Sequence, residues 1–263
     1  MGRSWSAHDA LKLLFLDGVS RPFVKPRPDP IWIFGIQKAG TTVFAKTLAA
    51  ATEQTSLMDT PLMWGTWRPP LGAADLGRIM RRNPITFSPQ ILKEPTATFY
   101  PDACLAQTTR KRHVLLLRNP ANNIRSVMDR MGLNGKGKVP PGIQAQIHPV
   151  YKAYQRELGL PHPLALAHRW VLAHEHAAWE DPNIAVFTYE GFMSDTERAL
   201  KAAADHVGLP ITGDFQSTLN QQHQPAGKNR SRTPEAFFGP EVLEQIQSIT
   251  RPAYNRLLER AFV

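Results

Sequence analysis

The sequence predicts a three-layer α/β sandwich built on a central parallel sheet, and three observations carry that prediction. Ile31–Phe34, Val114–Leu117 and Ile184–Phe187 are short, unbroken apolar runs, the pattern of strands covered on both faces. Each is followed by a segment whose apolar residues recur at helical spacing. Strands that alternate with helices pair in parallel, because each helix carries the chain back along a face of the sheet. A chain of 263 residues suits one such domain, spanning 1–263.

Residues 1–30 read as a lead-in. Leu11, Leu14 and Phe15 share helical spacing, and Pro22, Pro26, Pro28 and Pro30 then hold the chain extended. After Ile31–Phe34 and Gly35, a helix is expected from Thr42, with Val43, Phe44, Thr47, Leu48 and Ala51 on one stripe. A short strand, Gln90 to Leu92, precedes Lys93, Glu94 and Pro95. Arg118 and Pro120 stop the next strand, and a helix from about Asn122 carries Ile124, Val127, Met128 and Met131.

Residues 132–149 are rich in Gly, Pro and Lys without a period, and read as a mobile loop beside the acceptor. Leu164 to Trp179 is expected as one long helix, with Trp170 and Trp179 in the core. Ser194 and Glu197 suggest a capping box for a helix carrying Leu200, Ala203 and Val207, ended by Gly208 and Pro210. Val242, Ile246, Ile249, Leu257 and Leu258 mark a last helix, which Pro252 should bend or break.

Lys and Arg number 31 against 22 Asp and Glu. The net +9 suits a polyanionic partner: a nucleotide, nucleic acid, anionic lipid or sulfated glycan. The basic runs Arg78–Arg82 and Arg110–His113 lack the aromatic interleaving of a nucleic-acid module, so no nucleic acid is expected. The second run reads as a solvated approach to a buried strand. Cys104 is the single cysteine, which fits a reducing compartment. Leu13–Leu16, the longest early apolar stretch, is too short to span a bilayer, so no transmembrane segment and a cytoplasmic location are expected. His174, Glu175 and His176 fail the H-E-x-x-H zinc pattern because position 178 is Ala178. They and His168 read as helix-surface or acceptor-pocket residues, with no metal site expected.

Gly35 to Thr42 lies between a buried strand and a helix, where a phosphate loop belongs. Amides at a helix N-terminus point at an anion, Gly40 removes bulk, and Thr41 and Thr42 add hydroxyl donors. The loop is close to the G-x-x-x-x-G-K-[ST] pattern of P-loop NTPases, and the fold class expected is P-loop NTPase-like. One letter differs. Thr41 stands where the NTPase lysine belongs, and the lysine, Lys38, comes two residues before Gly40. Its amine should meet a different part of the ligand. One strand later, Arg118 closes a strand and Ser126 lies eight residues on. A guanidinium fork and a hydroxyl at a strand's C-terminal end can share one phosphate.

The first loop resembles the 5′-phosphosulfate loop, P-K-[SA]-G-T-T, of the sulfotransferases that use 3′-phosphoadenosine-5′-phosphosulfate (PAPS). Gln37 replaces the proline, while Lys38, Ala39, Gly40, Thr41 and Thr42 match. The second stretch resembles that family's 3′-phosphate motif, R-x-P-x-x-x-x-x-S, through Arg118, Pro120 and Ser126. The resemblance implies sulfuryl transfer from PAPS to a hydroxyl or amine of a small-molecule or glycan acceptor, releasing 3′-phosphoadenosine-5′-phosphate (PAP) without a metal. It implies a cofactor site of Lys38, Ala39, Gly40, Thr41, Thr42, Val43, Arg118, Ser126, Tyr189, Lys228, Asn229 and Arg230. Tyr189 would lie near the adenosine or 3′-phosphate. Lys228 to Arg230 would close over that phosphate, with Asn229 where a glycine is usual.

Lys38 is the expected catalytic cation, facing charge that develops on the bridging oxygen. For the general base the residues offer two carboxylates. Glu94, after Lys93 at a strand end, is the first choice, with Pro95 turning it toward the crevice. Asp59, in the segment after the first helix, competes. Met63, Trp64 and Trp67 suggest a partly apolar acceptor site. Two other readings compete: a P-loop kinase or NTPase, and a non-catalytic polyanion-binding module with steep salt dependence.

Overall fold

The computed structural model describes residues 7–63, 72–135, 161–219 and 232–262. Among them, six strands form one sheet: β1 (Ile31–Phe34), β2 (Ser56–Met58), β3 (Ile91–Lys93), β4 (His113–Leu117), β5 (Ile184–Thr188) and β6 (Ala261–Phe262). The spatial order is β2-β3-β1-β4-β5-β6, and every neighbouring pair is parallel. The helices are α1 (Ala7–Ser20), α2 (Thr41–Ala51), α3 (Ala73–Arg82), α4 (Pro101–Leu105), α5 (Pro120–Arg130) and α6 (His162–His174). They continue with α7 (Tyr189–Ser194), α8 (Thr196–Val207), α9 (Gln216–Leu219), α10 (Pro234–Phe238) and α11 (Pro240–Leu258). The fold class is the predicted α/β sandwich.

Strand alternation sorts the core into two layers. Ile31 and Ile33 of β1 pack with Phe44 and Leu48 of α2 and with Leu200 and Val207 of α8. Trp32 and Phe34 face the other way, into a cluster with Leu76 and Met80 of α3, Trp170 of α6 and Leu257 of α11. A third cluster joins Ile124 and Met128 of α5 to Leu166 of α6, Phe237 and Phe238 of α10 and Ile246 of α11.

The chain leaves β1 through α2 toward β2, and leaves β4 through α5 toward the β5 side. The C-terminal ends of β1 and β4 therefore flank the point where the winding reverses. In an open parallel sheet that point forms the ligand crevice.

Several local expectations shift. The predicted long helix ends at His174, and a 3₁₀ turn, Ala177–Glu180, follows. Side chains satisfy its last carbonyls: Trp179 Nε1 donates to Ala173 O at 2.9 Å, and Arg256 Nη2 donates to His174 O at 3.0 Å. That removes the need for another helical turn. Asp195, not Ser194, caps α8, its carboxylate accepting Arg198 N–H at 3.0 Å. Helix α11 runs through Pro252, held by the buried Thr250, Ala253 and Leu257 around it. His174 is core, not surface: Nδ1 bonds Trp170 O at 2.7 Å and the ring stacks on Trp170. Burial pushes its pKa down to about 3, so it stays neutral.

The run Arg110–His113 is also structural. Arg110 donates to Val207 O at 2.6 Å and pairs with Asp29. His113 stands inside the sheet. Its Nδ1 accepts the Trp32 N–H at 3.2 Å, which leaves Nε2 to donate to Arg110 O at 3.0 Å. Burial lowers its pKa to about 4, keeping the neutral tautomer that both bonds need.

Candidate active site

The loop after β1 is shaped by backbone demands. A Cβ on Gly35 would stand 2.5 Å from Thr41 Cγ2 and 2.6 Å from Leu116 O, so only glycine fits. Gly40 has φ 92° and is the N-cap of α2, with no side chain capping the first turn. A Cβ there would collide with the Tyr189 ring. Lys38 itself is left-handed, at φ 68°. A non-glycine residue there costs about 1–2 kcal/mol and persists where its surroundings fix it. Three contacts do so: Arg118 Nη1 donates to Lys38 O at 2.6 Å, Asn123 Nδ2 donates to Gln37 O at 3.0 Å, and Arg169 Nη2 donates to Gln37 Oε1.

These contacts assemble the predicted residues. Thr41, Thr42 and Val43 form the first turn of α2, where amides have no intrahelical acceptor. Arg118 lies at the end of β4, with its guanidinium 4.6 Å from the Tyr189 ring centroid. Tyr189 follows β5 and so touches both Gly40 and Arg118. Ser126 lies on α5 on the same side as Asn123, which bonds the loop, and Arg130, whose charge acts on Lys38. Ala39 is buried under the loop. Lys228, Asn229 and Arg230 fall outside the described residues.

The electrostatics favour an anion. Burial lowers the Lys38 pKa, and the positive charges of Arg130 and Arg118 lower it further, with Asp129 opposing. Arg118 Nε is buried and finds no acceptor among the described residues. A guanidinium N–H without an acceptor, beside uncapped helix amides and a cluster of cations, has the donors and charge to receive an anion. Sequence reasoning missed Arg130, Asn123, Arg169 and the role of Gln37. Their signal is three-dimensional, since Arg169 reaches Gln37 across 132 residues.

On the other side of the loop, β2 and β3 deliver an ion pair. Lys93, at the end of β3 and buried, donates to Thr42 Oγ1 at 3.0 Å and to Asp59 Oδ1. The Asp59 N–H extends the ladder, donating to Lys93 O at 3.0 Å. Asp59 is the partly exposed member, with 16% of its side chain accessible.

Glu94 is not presented at the crevice as expected. Pro95 starts a 3₁₀ turn, Pro95–Phe99, and Glu94 caps it from inside, accepting Thr96 N–H at 3.1 Å and Thr96 Oγ1–H at 2.8 Å. Its residue is 1% exposed. Met63 likewise packs in the core, and Trp64 and Trp67 lie outside the described residues.

Burial, then the Asp59 charge, raises the Glu94 pKa from 4.5 to about 7. A carboxyl whose folded pKa is raised favours the fold while protonated. That stability is full below about pH 4.5 and is lost as pH rises toward 7. The shift corresponds to on the order of 3 kcal/mol. Glu94→Gln keeps an acceptor for Thr96 and cannot ionise. Its melting temperature relative to the parent should therefore climb between about pH 4.5 and pH 7. A difference that stays flat with pH in thermal unfolding would mean that Glu94 ionises without penalty.

Among the described residues, no group of three or more His, Cys, Asp or Glu could hold a metal, and no helix is long and apolar enough to cross a membrane. No family model matches the chain, and no curated protein matches it in sequence. Solved structures match it in fold. The sulfotransferase domain from the curacin biosynthetic pathway is 13% identical, with 89% of this chain and 99% of that one covered and a TM-score of 0.49. Sulfotransferase STF1 from Mycobacterium tuberculosis H37Rv is also 13% identical, over 93% of this chain and 82% of that one, with a TM-score of 0.49. Mouse sulfotransferase SULT7A1 complexed with PAP is 14% identical over 92% and 93%, with a TM-score of 0.45.

Proposed function

We propose that the protein is a PAPS-dependent sulfotransferase acting on a hydroxyl or amine of a small-molecule or glycan acceptor, releasing PAP. One observation carries the reading. Lys38 stands before Gly40, not after it, and is held left-handed at the open end of α2 by Arg118, whose guanidinium lies against the Tyr189 ring. That placement aims the loop at a 5′-phosphosulfate and leaves Arg118 and Ser126 for the 3′-phosphate.

Bound there, PAPS supplies an electrophilic sulfuryl group: a new bond forms from acceptor to sulfur as the bond to the 5′-phosphate oxygen breaks. The amides of Thr41, Thr42 and Val43 hold the 5′ end. Lys38 stabilises charge on the leaving oxygen. Tyr189 and Arg118 fix the nucleoside end, and Lys228, Asn229 and Arg230 are assigned to the same phosphate. The acceptor proton goes to a carboxylate. We assign it to Asp59 in preference to Glu94, since a base must reach the proton it takes. Asp59 is partly exposed and linked through Lys93 to Thr42 of the loop, whereas Glu94 is enclosed. Glu94 then serves as a buried neighbour that shapes the field at Asp59.

PAP should raise the melting temperature by binding the folded state, and ATP with Mg²⁺ should do so far less. Equal shifts, or a larger one with ATP, would favour the kinase reading.

A further inference from the structure

Helix α1 is mounted with its apolar side outward. Asp17 faces the body and is fully buried. Its carboxylate accepts Ile85 N–H at 2.7 Å, Thr86 N–H at 3.1 Å and Thr86 Oγ1–H at 2.6 Å. Three bonds to one buried carboxylate fix which way the helix is turned. Leu13 and Ser20, at neighbouring angles on the helix, are partly buried with it.

The opposite ridge is Leu11, Phe15 and Val19, at i, i+4 and i+8. They are 67%, 70% and 59% exposed. Leu14 and Leu16 flank the ridge, and Phe23 continues beyond its end at 87% exposure. A contiguous apolar patch of this kind marks an interaction surface.

The rim is basic. Lys12 lies on the outer face, and exposed Arg21 and Lys25 follow the helix. Arg21 Nε donates to Arg82 O at 2.7 Å, which brings the exposed Arg81 and Arg82 at the end of α3 beside them. Among the acids whose side chains are described around this surface, Asp17 is buried, Asp29 pairs with Arg27 and Arg110, and Asp75 pairs with Arg78. A second copy of the chain would set one basic rim against another, at a net +9 on each. An anionic bilayer offers acyl chains to the ridge and negative headgroups to the rim.

We infer that α1 docks the protein on the surface of an anionic membrane, lying in the interface with Leu11, Phe15 and Val19 inward, Lys12 reaching from that same face up to the headgroups, and Arg21 and Lys25 at headgroup level. This surface is independent of the nucleotide site.

Flotation with phosphatidylglycerol/phosphatidylcholine vesicles, and with phosphatidylcholine alone, tests the inference. The full chain should float with the anionic vesicles and much less with the neutral ones. Leu11→Ser/Phe15→Ser should cut anionic binding by about tenfold or more at an unchanged melting temperature, because both side chains are already exposed. Lys12→Glu should weaken binding by itself. The inference is overturned if the parent chain stays with the unbound fraction, or if the double variant floats as the parent does. It is also overturned if sedimentation shows that the apolar substitutions split a dimer that ignores vesicles.

Discussion

Lys38→Ala is expected to lower turnover by roughly 10²–10³-fold, with a much smaller loss of PAP affinity. The reasoning is electrostatic. The Lys38 amine is half-buried, and burial and the charges of Arg130 and Arg118 lower its pKa while Asp129 raises it. The charge on the bridging oxygen is greatest in the transition state, so a cation aimed there acts on kcat more than on binding. Alanine keeps the carbonyl that Arg118 holds, so the loop itself should persist. Arg118→Ala should behave in the opposite sense. It removes a charge-assisted phosphate contact, worth about 2–3 kcal/mol in PAP binding, and frees the Lys38 carbonyl as well. Single-turnover kinetics with PAP titrations separate the two. Near-normal turnover in Lys38→Ala would remove Lys38 from its role.

Asp59→Asn should lower turnover by roughly 10²-fold or more with PAP binding nearly unchanged, and Glu94→Gln should do less. Asp59 has φ 55°, a conformation asparagine tolerates as well as aspartate, so the backbone is kept. The substitution removes basicity and weakens the pair with Lys93, whose other bond is to Thr42 at 3.0 Å. A small rise in the concentration of PAP needed for half-saturation is therefore expected, from a looser Thr42. If Glu94→Gln abolishes turnover while Asp59→Asn does not, the proton leaves through the buried carboxyl. If both remain active, the acceptor is an amine or is already ionised when it binds.

Much of this site was legible because local chemistry and fold coincide at it. Ile31–Phe34 read as a covered strand ending at Gly35, Gly40 as a place where side-chain bulk is removed, and Arg118 as a strand end before Pro120, and the structure has all three. Each of those signals sits within a few residues. β2 and β6 were not legible, since three and two residues leave no pattern to count. The orientation of α1 was hidden for another reason. Leucine spacing alone suggests an inward face, and only the bonds from Asp17 to Ile85 and Thr86 reverse it. Glu94 shows the same limit at the site. Pro95 does turn the chain, but into a 3₁₀ turn that needs a cap, so the carboxyl goes inside with Thr96. Gln37 was read as a departure from a proline pattern. Its side chain instead accepts from Arg169, which gives the loop a distant support in place of a rigid ring.

Transfer of label from ³⁵S-PAPS to a panel of phenols, alkyl alcohols, amines and glycans, with EDTA present, tests the central claim most directly. The account predicts labelled product in at least one acceptor class, PAP formed in equal amount, and loss of both in Lys38→Ala. PAPS left intact across the panel, together with Mg²⁺-dependent turnover of ATP by the same preparation, would contradict it.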